Sequence, residues 1–395
     1  MGAAPIAPRP RIAMIYRMKT RLALLFLLFL GPSTLPAQER SYYIYVASEA
    51  ADKITVVRYG PGGAAVDHEL TTGIMPVDID GPHGLVVSPD KKYYYVSIAH
   101  GQPFGSVWKY STLDDKVRGR VTLGMFPATM DVSPDGDFVY VVNFNLHGDM
   151  VPSSVSVVAT DDMTEIARIV TCAMPHGSRL NSDGTRQYSV CMMDEQLVEI
   201  DTATLKVSRH FVLTKGSEAG MLGPPMRISS MNHPASESGG HGTEPPKPGD
   251  MSCSPTWAQP AKKRLSVFVA CNGSSEIVEI NTQAWKMIRR IPAGAGVYNL
   301  AITKDGTKLI ATNRRDQSVS IFDVESAREL ARLQTKRKVV HGITVSPDDR
   351  YAFISVEGIS ADPGTVEVID LRSLKTVATV DVAPQAGGID FWKME

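Results

Sequence analysis

Two short patterns alternate along the chain with a period of about 45 residues, and that repeat limits the fold more than any other feature of the sequence. The first is an apolar stretch, a Ser-Pro-Asp or similar tripeptide, then a β-rich run. It occurs at residues 85–96 (LVVSPDKKYYYV), 130–141 (MDVSPDGDFVYV), 178–190 (SRLNSDGTRQYSV), 300–312 (LAITKDGTKLIAT) and 343–355 (ITVSPDDRYAFIS). Each reads as a hairpin, two alternating strands around an Asp-Gly-type turn. The second pattern is a strand–turn–strand around Asp or Asn, at residues 198–207, 278–287, 320–330 and 366–377. Four short strands per unit, without long helical periodicity, is what a propeller blade requires. The chain starts with a second-strand sequence that lacks its first strand (residues 42–46, YYIYV) and ends with a first-strand sequence that lacks its second (388–392, GIDFW). Joined, they complete one blade and leave no open sheet edge. The expected fold is all-β, a seven-bladed β-propeller in which the N- and C-terminal strands close one blade.

The stretches 138–143 (FVYVVN) and 309–313 (LIATN) resemble the YVTN-type β-propeller repeat family, and the likeness covers essentially all of the chain after residue 37. It implies the fold and leaves function wide, because that family includes lactonases, haem-d1 binding proteins, metalloenzyme domains and surface proteins.

Ahead of the repeats, Arg9, Arg11, Arg17, Lys19 and Arg21 precede an apolar run from Leu22 to Leu30, and no acidic residue occurs before Glu39. The run is far short of the ~20 residues that cross a bilayer. Residues 1–37 therefore read as a signal peptide cleaved after Ala37, leaving a periplasmic or secreted protein with no transmembrane anchor. Residues 38–395 are the propeller. The 41 basic and 42 acidic side chains nearly cancel, so the surface lacks the positive excess that nucleic-acid binding needs. Cys172, Cys191, Cys253 and Cys271 suit an oxidising compartment. With no CxxC or CxxCH, neither a zinc ribbon nor covalent c-type haem is expected.

Function has to be sought where the loops gather. Loops leading into each innermost strand and those leaving each second strand share one face, around the central channel. Aligned on the Ser-Pro-Asp column, one position at the channel mouth holds Gly387, His83, Ala128, His176, Gly249, Tyr298 and His341. Three are histidines followed by glycine, which lets the backbone turn tightly into the strand. His100 and His147 follow second strands on the same face, as does Cys191, with Met192 and Met193 after it. A Gly-, Pro-, Met- and His-rich insertion at 215–250 separates blades 4 and 5 and reads as a loop over this face. It brings Met221, Met226, Met231, His233 and His241.

Imidazole, thioether and thiolate together favour copper. The leading expectation is a metal site with His83, His176 and His341 as direct ligands, and His100, His147 and Cys191 behind them or as alternatives. The resemblance to nitrous-oxide reductase propellers and haem-d1 domains, at the level of fold and His-Gly pairs, implies copper or a haem d1-like cofactor, with redox activity. A binding or surface scaffold with purely structural histidines, carrying no cofactor, is the alternative. The partner is then a metal ion, a small molecule at the mouth or another periplasmic protein. The third reading is a lactonase-like hydrolase, for which the resemblance to propeller lactonases implies His, Arg and Glu at the mouth. Arg179, Arg314, Arg315 and Glu357 are its candidates.

Overall fold

The computed structural model describes residues 1–2, 40–74, 78–100, 104–146, 148–149, 151–225 and 253–395. The signal-peptide expectation therefore falls outside the described residues, apart from the first two. The unit Arg40–Glu395 is all-β, with a single turn of 3-10 helix, Glu49–Ala51, among its described residues. It forms seven antiparallel sheets, and the last strand, Ala386–Met394, pairs with the first, Tyr42–Ser48, to complete blade 1.

The recurring motifs have a local cause. In the Ser-Pro-Asp turns the hydroxyl donates to the aspartate two residues on, as Ser88 does to Asp90 (2.6 Å) and Ser346 to Asp348 (2.7 Å). The same carboxylate accepts a backbone N–H another two residues along, from Lys92 and Arg350, which closes the turn between first and second strands. Asp201 and Asn281 do the equivalent in the second pattern, each accepting two backbone N–H groups. Alternate strand residues then face neighbouring blades, so the core lies between sheets. Tyr45 and Tyr94 stack at 4.2 Å between blades 1 and 2, and Val190, Phe211, Val267 and Val278 pack between blades 4 and 5.

Blade 4 departs from the expectation. The start of the insertion is a fifth strand, Ala219–Leu222, paired with Lys206–Val212, rather than loop. Arg290 of blade 5 pins it through Glu218 (2.5 Å), and Trp285 donates to the backbone oxygen of His210 (2.8 Å). Met221 consequently lies opposite His210 at the outer edge of the blade. The remaining insertion histidines and methionines lie outside the described residues.

All four cysteines are paired. Cys172–Cys191 ties the last strand of blade 3 to the second strand of blade 4, and Cys253–Cys271 anchors the chain as it enters blade 5. Each closes a loop of fewer than 20 residues, so a Cys253→Ser/Cys271→Ser variant is expected to lose about 3 kcal/mol by loop-entropy reasoning. Urea unfolding would check this; an unchanged midpoint would show that the bond adds nothing.

Candidate functional site at the channel mouth

Backbone pairing defines two rings of positions. The residue after the first of each innermost strand is His83, Ala128, His176, Thr256, Tyr298, His341 and Gly387. The blade 5 position is thus Thr256 and not Gly249, which lies outside the described residues. The insertion and the missing Ser-Pro-Asp turn of this blade displaced the alignment. The residue just past each second strand is Glu49, Ala99, Phe144, Met192, Asn272, Arg314 and Glu357.

Glu49 is the residue that sequence reasoning missed. It leaves the first strand of the chain on the 3-10 turn, its N–H held by the carbonyl of Gln385 (3.1 Å). Its carboxylate accepts from His83 Nδ1 and His100 Nε2, both at 2.5 Å. Burial alone would raise the Glu49 carboxyl, but the charges and hydrogen bonds of the two histidines outweigh it and hold it well below the usual carboxylate range. Burial likewise works against the His83 imidazolium, and Glu49 reverses that, so His83 holds its proton above the ordinary histidine range.

His341 has the opposite bias. Buried, and facing the positive charges of Arg314 and His83, it is pushed well below the ordinary histidine value. Its ring centre lies 5.6 Å from that of His83 and 5.0 Å from Tyr298. Glu357 Oε1 lies 3.7 Å from His341 Nε2 and 3.5 Å from an Arg314 nitrogen. Burial raises the Glu357 carboxyl, with Arg314 working against the rise. Arg314 also sits over the Tyr298 ring at 4.5 Å. Around the rest of the mouth, Phe126, Phe144, Ala99 and Ala128 form an apolar lip with Met125, Met174 and Met192. One side of the opening is therefore charged and hydrogen-bonding, the other greasy.

The remaining candidates separate. His176 has both ring nitrogens engaged: Nδ1 donates to the Thr256 carbonyl (2.8 Å) and Nε2 accepts from the Tyr298 hydroxyl (3.1 Å). Burial drives it down to about 3, so it is a neutral, satisfied histidine. Cys191 has its sulfur in a disulfide and has no thiolate to offer. His147 lies outside the described residues. Arg315 reaches the backbone oxygens of Asn272 and Gly273 and ties blades 5 and 6 together. Arg179 is on an innermost strand inside the channel, stacked on Trp257 at 4.7 Å, and not on the loops of the mouth. Among the described residues no group of three or more His, Cys, Asp or Glu side chains is placed to hold a metal ion. His176, with both nitrogens bonded to Thr256 and Tyr298, and Cys191, oxidised, have no lone pair or thiolate to give copper, and copper has no group of donors behind it among the described residues.

No family model and no curated protein sequence matches the chain. The likeness to the YVTN family thus rests on the repeat sequences themselves. Among solved structures, the periplasmic gluconolactonase PpgL of Pseudomonas aeruginosa is similar with a TM-score of 0.62 at 16% identity, over 89% of this chain and 99% of that one. A putative 6-phosphogluconolactonase of Bacteroides fragilis has a TM-score of 0.62 at 14% identity, over 92% of this chain and 100% of that one. The dihydro-haem d1 dehydrogenase NirN has a TM-score of 0.55 at 16% identity, over 88% of this chain and 74% of that one. At these identities the likeness shows the fold, and the chain is a seven-bladed β-propeller.

Proposed function

We propose that the protein is a hydrolase for a small, oxygen-rich cyclic ester, a sugar lactone being the best-matched class. The observation that carries this reading is the pair His83 and His341. Their rings are 5.6 Å apart, one held protonated by Glu49 and the other kept neutral by burial. Two titratable groups driven apart in this way are an acid and a base at one pH. Opening a lactone needs a proton donor for the departing ring oxygen and an acceptor for the proton of attacking water. Arg314, beside Glu357, supplies a fixed positive charge for hydroxyl or carbonyl oxygens. Met125, Met174 and Met192, part-exposed over the buried Phe126 and Phe144, give the carbon face of a sugar ring an apolar surface to lie on. A haem-type cofactor has only the fold likeness behind it. The disulfides agree with work in an oxidising compartment.

The test is direct: γ- and δ-lactones of five- and six-carbon sugar acids, followed by proton release in weak buffer. Turnover above the spontaneous rate is expected, lost in His83→Gln. Spontaneous rates across the panel would leave the scaffold reading as the better one, and full activity in His83→Gln would remove His83 from the chemistry.

A further inference from the structure

Just inside the ring of imidazoles the channel holds a cavity of about 40 Å³. Three of its lining side chains carry a buried polar atom with no hydrogen-bond partner among the described residues: His341 Nδ1, Asn299 Oδ1 and Trp257 Nε1. These residues are only 4%, 2% and 4% exposed. A buried polar atom without a partner is costly, so three of them around one void mark a place where something polar belongs. Two acceptors and one donor are a set that water satisfies, since each molecule both donates and accepts. The volume takes roughly two or three water molecules. Four glycines, Gly84, Gly342, Gly387 and Gly388, are among the residues that line the space. Beyond Arg179, which lines both, lies a polar chamber of about 230 Å³ with Asp131, Gln259, Lys262 and Asp390 in its walls. It can resupply the cavity from the far side of the ring.

The His341 ring bridges the two environments. Its Nε2 lies toward Glu357 (3.7 Å) at the mouth, which favours the proton on that nitrogen and leaves the Nδ1 lone pair facing the cavity. We propose that this cavity is a built water site and that His341 Nδ1 is the general base for the water it holds, attacking a substrate seated in the mouth from the channel side. This assignment rests on the hydrolytic reading above. The water oxygen bonds to the acyl carbon as one of its protons passes to Nδ1. The ring C–O bond then breaks, and the departing oxygen takes the proton from His83. Lactone and water give the hydroxy acid, and solvent returns the proton from His341 to His83.

Gly387 offers a clean probe. A Cβ built there meets His341 Nδ1 at 3.6 Å and its Cε1 at 3.7 Å, both ordinary contacts. Gly387→Ala should therefore fold normally and fill the space at Nδ1. The experiment combines high-resolution crystal structures of wild type and Gly387→Ala with kcat and KM on a lactone that the wild type opens. ¹⁵N NMR of the His341 ring reports its tautomer. Expected are ordered water on Nδ1 in the wild type, an Nε2–H tautomer, and a kcat at least roughly tenfold lower in Gly387→Ala with KM little changed. Asn299→Ala, which removes one anchor of the water without filling the cavity, should lower kcat in the same direction. A dry cavity overturns the water site. Water on Nδ1 with an unchanged kcat in both variants overturns the base assignment while leaving lactone hydrolysis standing. A wild type that opens no lactone overturns the hydrolytic reading itself, and the base role with it.

Discussion

Glu49→Gln is expected to cut kcat/KM on a responsive lactone by about a hundredfold or more at neutral pH, the usual worth of a positioned proton donor. The amide can still accept a hydrogen bond from His83, but it no longer compensates the imidazolium charge. Burial then dominates, and the His83 titration moves from above the ordinary histidine range to below it. The sign follows: the acid form persists only at lower pH, so the alkaline limb of the pH–rate profile should shift toward acid, and activity should partly return on acidification. Profiles for the two proteins between pH 4.5 and 9 decide the matter. If they superimpose, His83 does not work through its proton.

The second large effect concerns stability. His176 takes up a proton at about 3 in the folded chain against 6.5 when exposed. Between those values the unfolded chain binds one more proton than the folded one. Stability should therefore fall by about 1.4 kcal/mol for each pH unit below 6.5 on account of His176 alone. His341 is depressed for the same reason and adds to the slope. His83 works the other way: its folded value is raised, so its contribution is fully present below 6.5 and is lost as pH rises through that raised value. Glu49, held low, contributes above the ordinary carboxylate value of 4.5 and loses its contribution as pH falls through its own. Urea midpoints from pH 4 to 7.5 should slope steeply in the wild type and less so in His176→Gln, whose amide can still donate to the Thr256 carbonyl. Parallel slopes would mean that His176 is hydrated in the native state.

The propeller was legible because four of its seven blades write their first turn in the same letters. Ser88, Ser133, Thr303 and Ser346 each donate to an aspartate two residues on, and a turn that makes its own hydrogen bonds leaves a fixed spacing in the sequence. Blade 5 turns through residues 261–265 without such a pair, and there the alignment slipped to Gly249 instead of Thr256. The histidines of the inner ring were found by position, but their roles were not. His83 and His176 occupy equivalent places, yet one meets a carboxylate and the other a carbonyl and a phenol. Those partners come from residues 34 to 122 positions away, and no local pattern encodes them. Glu49 had a usable signal, since it aligns with Arg314 and Glu357 at the ends of second strands. The split of blade 1 between the two ends of the chain concealed that column.

The shared blade also sets a timetable. The strand that delivers Glu49 is the first of the propeller to be synthesised, and the strand that pairs with its inner edge, Ala386–Met394, is the last. The Glu49 backbone is moored to Gln385, so its place beside His83 and His100 is fixed only when the C-terminal residues arrive. Every other blade can be complete while Glu49 still lacks its anchor. A truncated or unfinished chain is thus nearly a whole propeller whose Glu49 is unmoored, and closing the circle is also what fixes a negative charge beside His83 and His100.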